Sequence, residues 1–519
     1  MPEDPPITDA ASAHRTSEEG HIASASVADG LAAGPLEARS GLEPWTRAEL
    51  PAPPFPRGFA WFGAVGPGVI ILGAAIGGGE FLLGPAVFVQ YGLALLWLTG
   101  IGIVFQTIFN TEVMRYTLAT GEPLLTGFMR TRPSSTLWAW VYTLLYFLGV
   151  GWPAWAATAA GAIYFLIFRR LPGPADTDVV YYIGVGTFLA CVAVLLVGRR
   201  IERTLEILNW LLVTCILGGF LFLAVAFVPL GTWLGAVLGF AGFDAQRGAF
   251  DFMPQGVDFF LLAALVAYSG AGGMSNVVLS NWARDKGYGM SQRTGYIPAL
   301  VGGQKVHLAH SGSTFTPDAE AMRRWRGWWR IVRADQWGVF CTGAFLGMTL
   351  PALLYVTFLP RGSDIRGLGI SAALAGAIGE RAGPLIAGAI AFLGAWLLFK
   401  SQLDLLEGMV RAITDVLWTG SRRLRGWRGG DVRVVYYSVL ATAVLWGVIA
   451  LRLAQPVILL QLGANVAAAT FVLTSLHLLY VNTHLLPPEL RPPPWRRVTL
   501  VVTALFYGSF VALSLSTLL

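Results

Sequence analysis

The sequence predicts an all-α integral membrane protein, and three observations carry that prediction. Only 13% of its 519 residues are charged while 55% are hydrophobic, against about 25% charged in a typical soluble domain. Mean hydropathy is +0.61. From residue 61 to the end, apolar stretches of helical length follow one another. Together these exclude a soluble enzyme, a disordered chain and a secreted disulfide scaffold. Cys191, Cys215 and Cys341 lie far apart inside apolar stretches, so they read as buried small hydrophobes rather than disulfide partners or metal ligands. The net charge of +6 does not point to nucleic acid, because the cations sit in short loops between apolar segments, where they face anionic lipid.

Residues 1–57 are polar and end in Pro51-Ala52-Pro53-Pro54-Phe55-Pro56-Arg57. They lack the basic and apolar regions of a signal peptide and read as a disordered cytoplasmic tail. A helix needs about 20 apolar residues to span the bilayer. Eleven segments meet this, near 61–89, 93–116, 137–167, 179–198, 205–228, 256–281, 337–359, 383–419, 434–451, 456–482 and 497–518. With the N-terminus inside, the inner loops hold Arg115, Arg130 and Arg132, then Arg199, Arg200 and Arg203, the basic run from Arg284 to Arg333, the cluster Arg422–Arg433, and Arg491, Arg496 and Arg497. The outer loops hold only Arg169, Arg170, Arg247, Arg361, Arg366, Arg381 and Arg452. That asymmetry obeys the positive-inside rule and puts Leu519 outside the cytoplasm.

The inner segment 282–336 is long for a connector. Ile297–Val301 and Val306–Leu308 flank Gly302-Gly303, a hairpin signal. Thr316-Pro317 reads as an N-cap followed by proline at the first helical position. Arg323-Arg324-Trp325-Arg326-Gly327-Trp328-Trp329-Arg330 mixes cations with indoles, a composition suited to the headgroup layer. The segment is expected to be a lid or brace lying along the membrane, or else a docking site for another protein.

Two spans are interrupted. The first contains Gly77-Gly78-Gly79-Glu80 and the sixth Ser269-Gly270-Ala271-Gly272-Gly273-Met274-Ser275-Asn276. Glycine costs about 1 kcal/mol per residue in a helix, and irregular backbone at membrane depth is tolerated where it lines a cavity. Two broken spans in corresponding halves mark the substrate site of a transporter; close packing through small residues is the alternative. Glu80 is the sole charge between Arg57 and Glu112. An intramembrane carboxylate is expensive and functional by default, awaiting a cationic substrate, a proton, or a permanent partner such as Lys400. Span eight carries Lys400, Asp404, Glu407, Arg411 and Asp415, whose i,i+4 spacings allow Lys400/Asp404, Glu407/Arg411 and Arg411/Asp415 pairs. Span ten supplies Gln455, Gln461 and Asn465, amides that bond across helices or offer oxygen ligands, and His477, read as a satisfied interior histidine. His307 and His310 give a weak metal signal. No Gly-x-Ser-x-Gly, His-Glu-x-x-His, P-loop or dinucleotide motif occurs, so the chain is expected to be neither an enzyme nor a cofactor binder.

Several motifs resemble those of the Nramp divalent-metal transporters. They are Gly66-Pro67-Gly68, Gln90-Tyr91-Gly92 before Leu95-Leu96-Trp97, Arg115 with Thr120-Gly121, Met274, Glu407-Gly408, and Gln455 six residues before Gln461-Leu462. The resemblance runs from about 59 to 518. It implies a LeuT-type fold: two inverted five-helix repeats and an eleventh helix, helices 1 and 6 broken. The chain would divide into a tail (1–57), the first repeat (58–228), an extracytoplasmic loop with helix 6 (229–281), a cytoplasmic loop (282–336), helices 7–10 (337–482), and a connector with helix 11 (483–519). It also implies alternating access and proton-linked uptake of manganese or ferrous iron. The family's Asp-Pro-Gly-Asn stands here as Gly77-Gly78-Gly79-Glu80, and its Met-Pro-His as Met274-Ser275-Asn276. The implied metal set is Glu80, Gly77, the Ala271 carbonyl, Met274 and Gln455, with Glu80, Asn276, Lys400, Asp404, Glu407 and Gln461 as candidates for proton coupling or gating. A thioether favours manganese, iron or later metals over magnesium and calcium.

The expected function is secondary transport of a divalent transition metal, driven by the membrane potential or by protons, in a cell membrane and without an obligatory protein partner. A carrier of amino acids or other small organic substrates on the same fold is the alternative, favoured by the glycine run, whose bare amides suit a carboxylate. A non-transporting sensor signalling through 282–333 is a third reading.

Overall fold

The computed structural model describes residues 40–196, 201–298, 308–363, 365, 370–453 and 456–517. In lipid every backbone polar group must be satisfied within the chain, which leaves helices as the spanning element. Among the described residues ten helices are long and apolar enough to cross a membrane, and an interrupted one supplies the eleventh crossing. In chain order the crossings are α1 (Pro67–Tyr91), α2 (Leu96–Thr120), α3 (Ser135–Phe168), α4 (Thr177–Leu195), α5 (Ile201–Phe227), α6 (Phe259–Ala267 and Met274–Lys286), α7 (Thr342–Phe358), α8 (Pro384–Gly420), α9 (Val432–Ala450), α10 (Pro456–His484) and α11 (Pro494–Ser516). Short helices Leu230–Gly239 and Ile370–Ala382 lie in the α5–α6 and α7–α8 connections.

Local sequence sets the ends. Pro67, Pro384 and Pro494 each occupy the first turn of their helix, where a missing N–H costs nothing. The side chains of Ser134, Asp258 and Asp431 cap α3, α6 and α9. Gly121 and Gly287 close α2 and α6 in the left-handed conformation that glycine adopts freely. Burial sorts the helices into layers. Every residue of α1 from Pro67 to Val89 is buried, whereas Phe222 and Val225 of α5 and Leu445 of α9 are exposed on the rim. Cys191 and Cys341 are buried as expected, but Cys215 is exposed on that outer surface of α5.

Four expectations are refined. The glycine run does not unwind α1; Ile76–Leu83 instead forms a π-helical stretch inside a continuous helix. Asp318, not Thr316, caps the amphipathic helix Ala319–Arg333, its carboxylate accepting from the Ala321 N–H at 2.8 Å. That helix does not lie apart as a lid: it runs through a second π-helical stretch, Ala334–Cys341, directly into α7. The sixth span extends to Lys286 rather than ending at 281. Of the expected hairpin, 299–307 lies outside the described residues, His307 with it.

Segment 40–57, part of the tail expected to be disordered, is instead ordered and packed against the helix Ala319–Arg333. Thr46–Arg47 pairs in parallel with Ser313–Thr314, and Arg324 and the Trp328 indole donate to the carbonyls of Leu50 and Pro51. Trp329 lies beneath the guanidinium groups of Arg115 and Arg496, 4.3 and 5.1 Å from its ring centre, and both cations hold buried Glu112 at 2.7 and 2.8 Å.

Candidate functional site

The site is built where α1 crosses the break in α6. Gly77 and Gly79 face neighbours too close for a side chain, and Gly78 faces one that would have to give slightly. A Cβ on Gly77 would stand 2.3 Å from the Ser401 hydroxyl of α8, and one on Gly78 3.1 Å from the Trp155 indole nitrogen of α3. On Gly79 it would stand 1.6 Å from the Tyr268 carbonyl oxygen, at the start of the α6 break. The run thus serves close packing, the alternative weighed for it, and a π-helical turn, which recurs at functional sites. Asp335 anchors the lower end of α1 by accepting the Gly66 N–H at 2.9 Å.

The α6 break spans 268–273, with Gly270, Gly272 and Gly273 at φ 154°, 84° and 56°. One side chain bridges it. The Gln106 amide of α2 donates to the Ala267 carbonyl and to the Tyr507 hydroxyl, both at 3.0 Å. Its oxygen accepts the Gly272 N–H at 3.4 Å and the Asn276 amide at 3.3 Å. Asn276 also donates to Asn110 at 2.9 Å, and the Tyr268 hydroxyl donates to the Gly149 carbonyl at 3.0 Å. Neither Gln106 nor Asn110 was singled out from sequence. They are amides four residues apart in an apolar span, the signal that drew attention to Gln461 and Asn465.

Ala271 lies in the break and Met274 opens the second half of α6, both buried. Glu80 follows Gly79 on the same crossing, but its side chain is directed at α7, its Cγ 3.6 Å from where a Cβ on Gly347 would stand. It is fully buried, and neither carboxylate oxygen has a hydrogen-bond partner among the described residues. The buried Asn276 oxygen, Asn110 amide nitrogen and Ser275 hydroxyl are likewise unpartnered. Gln455 lies outside the described residues. Gln461 is buried on α10, its backbone carbonyl accepting from Asn465, which also reaches the Phe260 carbonyl of α6 at 3.1 Å. Among the described residues no three His, Cys, Asp or Glu side chains gather as a metal cluster, so any cation here would meet mixed carboxylate, carbonyl, amide and thioether donors.

The charges of α8 are spoken for. Lys400 pairs with Asp404 at 2.9 Å, not with Glu80. Glu407 accepts from the Trp282 indole at 2.8 Å and from Arg411 at 2.6 Å. The expected Arg411/Asp415 pair does not form: Arg411 turns to Asp285 and Asp415 takes Arg284 at 2.6 Å. Both partners lie on the second half of α6, where tertiary contact outcompetes the i,i+4 spacing. Lys286 extends the tie to Glu206 of α5 at 2.5 Å. Glu407 therefore binds α8 to α6 rather than facing the break. His477 is satisfied as expected, between the Tyr142 and Thr131 hydroxyls at 2.6 and 2.7 Å, and His310 pairs with Glu43 at 2.6 Å. A cavity of about 1500 Å³ opens elsewhere, between the α3–α4 connection, helix Ile370–Ala382 and the end of α9; it includes none of the residues at the break.

These features define a polytopic all-α membrane protein with an interrupted helix packed against a continuous one, and comparison with solved structures gives its fold. The chain matches the manganese transporter of Eremococcus coleocola: one mutant form at a TM-score of 0.60 and 14% identity, covering 91% of this chain and 90% of that one, and the complex with an aromatic bis-isothiourea substituted compound at 0.53 and 14%, covering 91% and 89%. The fold is thus the LeuT-type fold that the Nramp resemblance implied. No protein-family model matches the chain. An uncharacterized protein of Pasteurella multocida (strain Pm70) is 29% identical over 140 residues, which span 27% of this chain and 30% of that protein.

Proposed function

We propose that this protein is a secondary transporter that carries a divalent transition-metal cation, manganese or ferrous iron, across a cell membrane by alternating access. The observation that carries the proposal is the Glu80 carboxylate, buried and unpartnered in the π-helical stretch of α1 beside the broken α6. A buried charge without a partner is costly, and an arriving cation would satisfy it. The neighbour of like fold is a manganese transporter, which accords with a metal cargo, while the fold by itself would also suit an organic one. Met274, the Ala271 carbonyl and Gln455 would complete a set whose sulfur discriminates against magnesium and calcium. Proton linkage would run through Glu80, the residue able to exchange a proton for the cation. The tail would face the cytoplasm and Leu519 the other side.

The test is manganese uptake into proteoliposomes under an imposed negative potential, wild type beside Glu80→Gln, at two external pH values. Saturable uptake that the variant loses is expected, with a pH dependence if protons are linked. No uptake by folded, inserted wild type would redirect the search to an amino-acid panel.

A further inference from the structure

The cavity of about 1500 Å³ that lies apart from the α6 break exceeds the roughly 300–1,000 Å³ of a small-molecule pocket. It opens at one face of the bundle, where α3, α7 and α9 end and α4 and α8 begin. Its wall divides by chemistry. Phe165, Leu171, Ala377 and Leu451 supply an apolar part. Arg169, Arg381 and Arg452 bring guanidinium groups from three separate elements, against the two carboxylates of Asp178 and Glu380.

These cations are placed without a close ion pair. Arg169 Nη1 lies 3.2 Å from where a Cβ on Gly388 would stand, so the side chain reaches from the end of α3 to the first turns of α8. Arg381 lies 5.6 Å from the centre of the Phe358 ring, and Arg452 4.1 Å from that of Tyr181. Arg169 and Arg381 have no carboxylate partner among the described residues, and Arg452 has only Asp178 at 3.9 Å. The next residue in the chain differs: Arg170 donates twice to Asp176 at 2.7 Å. An arginine at a helix end also answers the helix dipole, which needs no cavity. Arg169, however, closes α3 at φ 56°, a conformation that glycine adopts freely and a residue with a side chain seldom does. Strained backbone of this kind clusters at ligand sites.

The mouth says what enters. Beside the lining residues Asp178, Tyr181 and Pro384, the side chains of Val179, Tyr182 and Leu385 are exposed, so the apolar outer surface of α4 and α8 reaches the cavity. Guanidinium groups grip phosphate through paired hydrogen bonds, and an apolar wall continuous with an apolar surface suits acyl chains. We propose that this cavity binds a phospholipid, its phosphate on Arg169, Arg381 and Arg452 and its chains along Phe165 and Leu171. The inference stands apart from the metal reading, and its test does not depend on transport.

The experiment is native mass spectrometry of the purified full-length protein, stripped of lipid in detergent and titrated with phosphatidylglycerol, with diacylglycerol of the same chains, or with glycerol 3-phosphate. Wild type is expected to hold its first phosphatidylglycerol at least fivefold more tightly than the diacylglycerol, and to hold no glycerol 3-phosphate at the same concentrations. Arg169→Gln and Arg381→Gln in one chain are expected to weaken that first lipid at least fivefold. Gly376→Phe is expected to do the same without changing charge, by filling the cavity from helix Ile370–Ala382, where a Cβ meets nothing nearer than Leu171 at 3.8 Å. Arg422→Gln with Arg423→Gln, exposed beyond the other end of α8 and absent from the lining, is expected to leave the first lipid unchanged. Equal retention of the two lipids overturns the proposal, as does glycerol 3-phosphate bound as tightly as phosphatidylglycerol, the behaviour of a site for free anions. Survival of the first lipid in either cavity variant, or its equal loss in the Arg422/Arg423 pair, overturns it as well. Melts in detergent check that each variant is folded, and Gly376→Leu replaces Gly376→Phe should the larger ring prevent folding.

Discussion

Gly79 lies flat against the carbonyl of Tyr268, so close that a Cβ would stand 1.6 Å from the oxygen. This contact joins α1 to the break in α6, and backbone on one side of it cannot yield as a side chain could. Gly79→Ala is expected to lower stability by about 1–3 kcal/mol, the usual cost of overpacking, and, under the proposed alternating access, to abolish uptake. Gly186→Ala on α4, where a Cβ meets nothing within 4 Å, is expected to melt no lower than wild type and to gain up to about 1 kcal/mol from helix propensity. Melts of the two variants check this, and equal melting would show that the crossing has slack.

Gln106 satisfies both edges of the α6 break, the Ala267 carbonyl on one side and the Gly272 N–H on the other. Gln106→Ala leaves these buried groups and one N–H of the Asn276 amide short of partners, at about 1–3 kcal/mol for each group left unsatisfied. Amide exchange across 268–273 is expected to quicken while that in α9 stays constant. Unchanged exchange at the break would mean that its glycines alone hold its shape.

Much of this was legible in advance, for a physical reason. Span number, the two special spans and the isolation of Glu80 follow from hydropathy and from the cost of charge in lipid, both local properties of the chain. What sequence could not supply was direction. Gly77-Gly78-Gly79 announces irregular backbone, but whether it unwinds or widens into a π turn depends on Ser401, Trp155 and Tyr268, which arrive from other helices. Arg411 and Asp415 have the spacing of a pair, yet Asp285 and Arg284 take them, because two helices packed in contact offer better geometry than one helix offers itself. Gln106 went unremarked because an amide in an apolar span has no visible task until the broken backbone it mends is in place.

In the connection after α2, Glu122 gathers Arg130 at 2.5 and 2.9 Å, the Tyr116 hydroxyl at 2.7 Å and the Gly312 N–H at 2.8 Å. Burial alone would raise its carboxyl, but the guanidinium of Arg130 and these hydrogen bonds override that and hold it below the ordinary 4.5. A depressed carboxyl stabilises the fold fully above its unfolded value and loses that contribution as pH falls through the folded one. The wild-type melt is therefore expected to be insensitive to Glu122 from neutral pH down to about 4.5 and to decline below it. Glu122→Gln should melt lower at neutral pH and lose part of that acid decline, and parallel declines in the two proteins would remove Glu122 from the acid response.

Met274 begins the second half of α6 with its side chain buried, and its sulfur is the one soft donor in the proposed set. Truncation to alanine would confuse chemistry with a cavity costing about 2–5 kcal/mol, so leucine is the informative replacement: it keeps the volume, typically at less than about 1.5 kcal/mol, and removes the sulfur. A thioether contributes little to binding a hard cation and more to a transition metal. Met274→Leu is therefore expected to leave folding nearly intact and to lower manganese uptake relative to calcium, narrowing the preference from the manganese side, from the calcium side, or from both. The measurement is competition between the two ions in proteoliposomes holding equal amounts of folded protein. An unchanged ratio would place the sulfur in the packing of α6 and leave selectivity to the oxygens around Glu80.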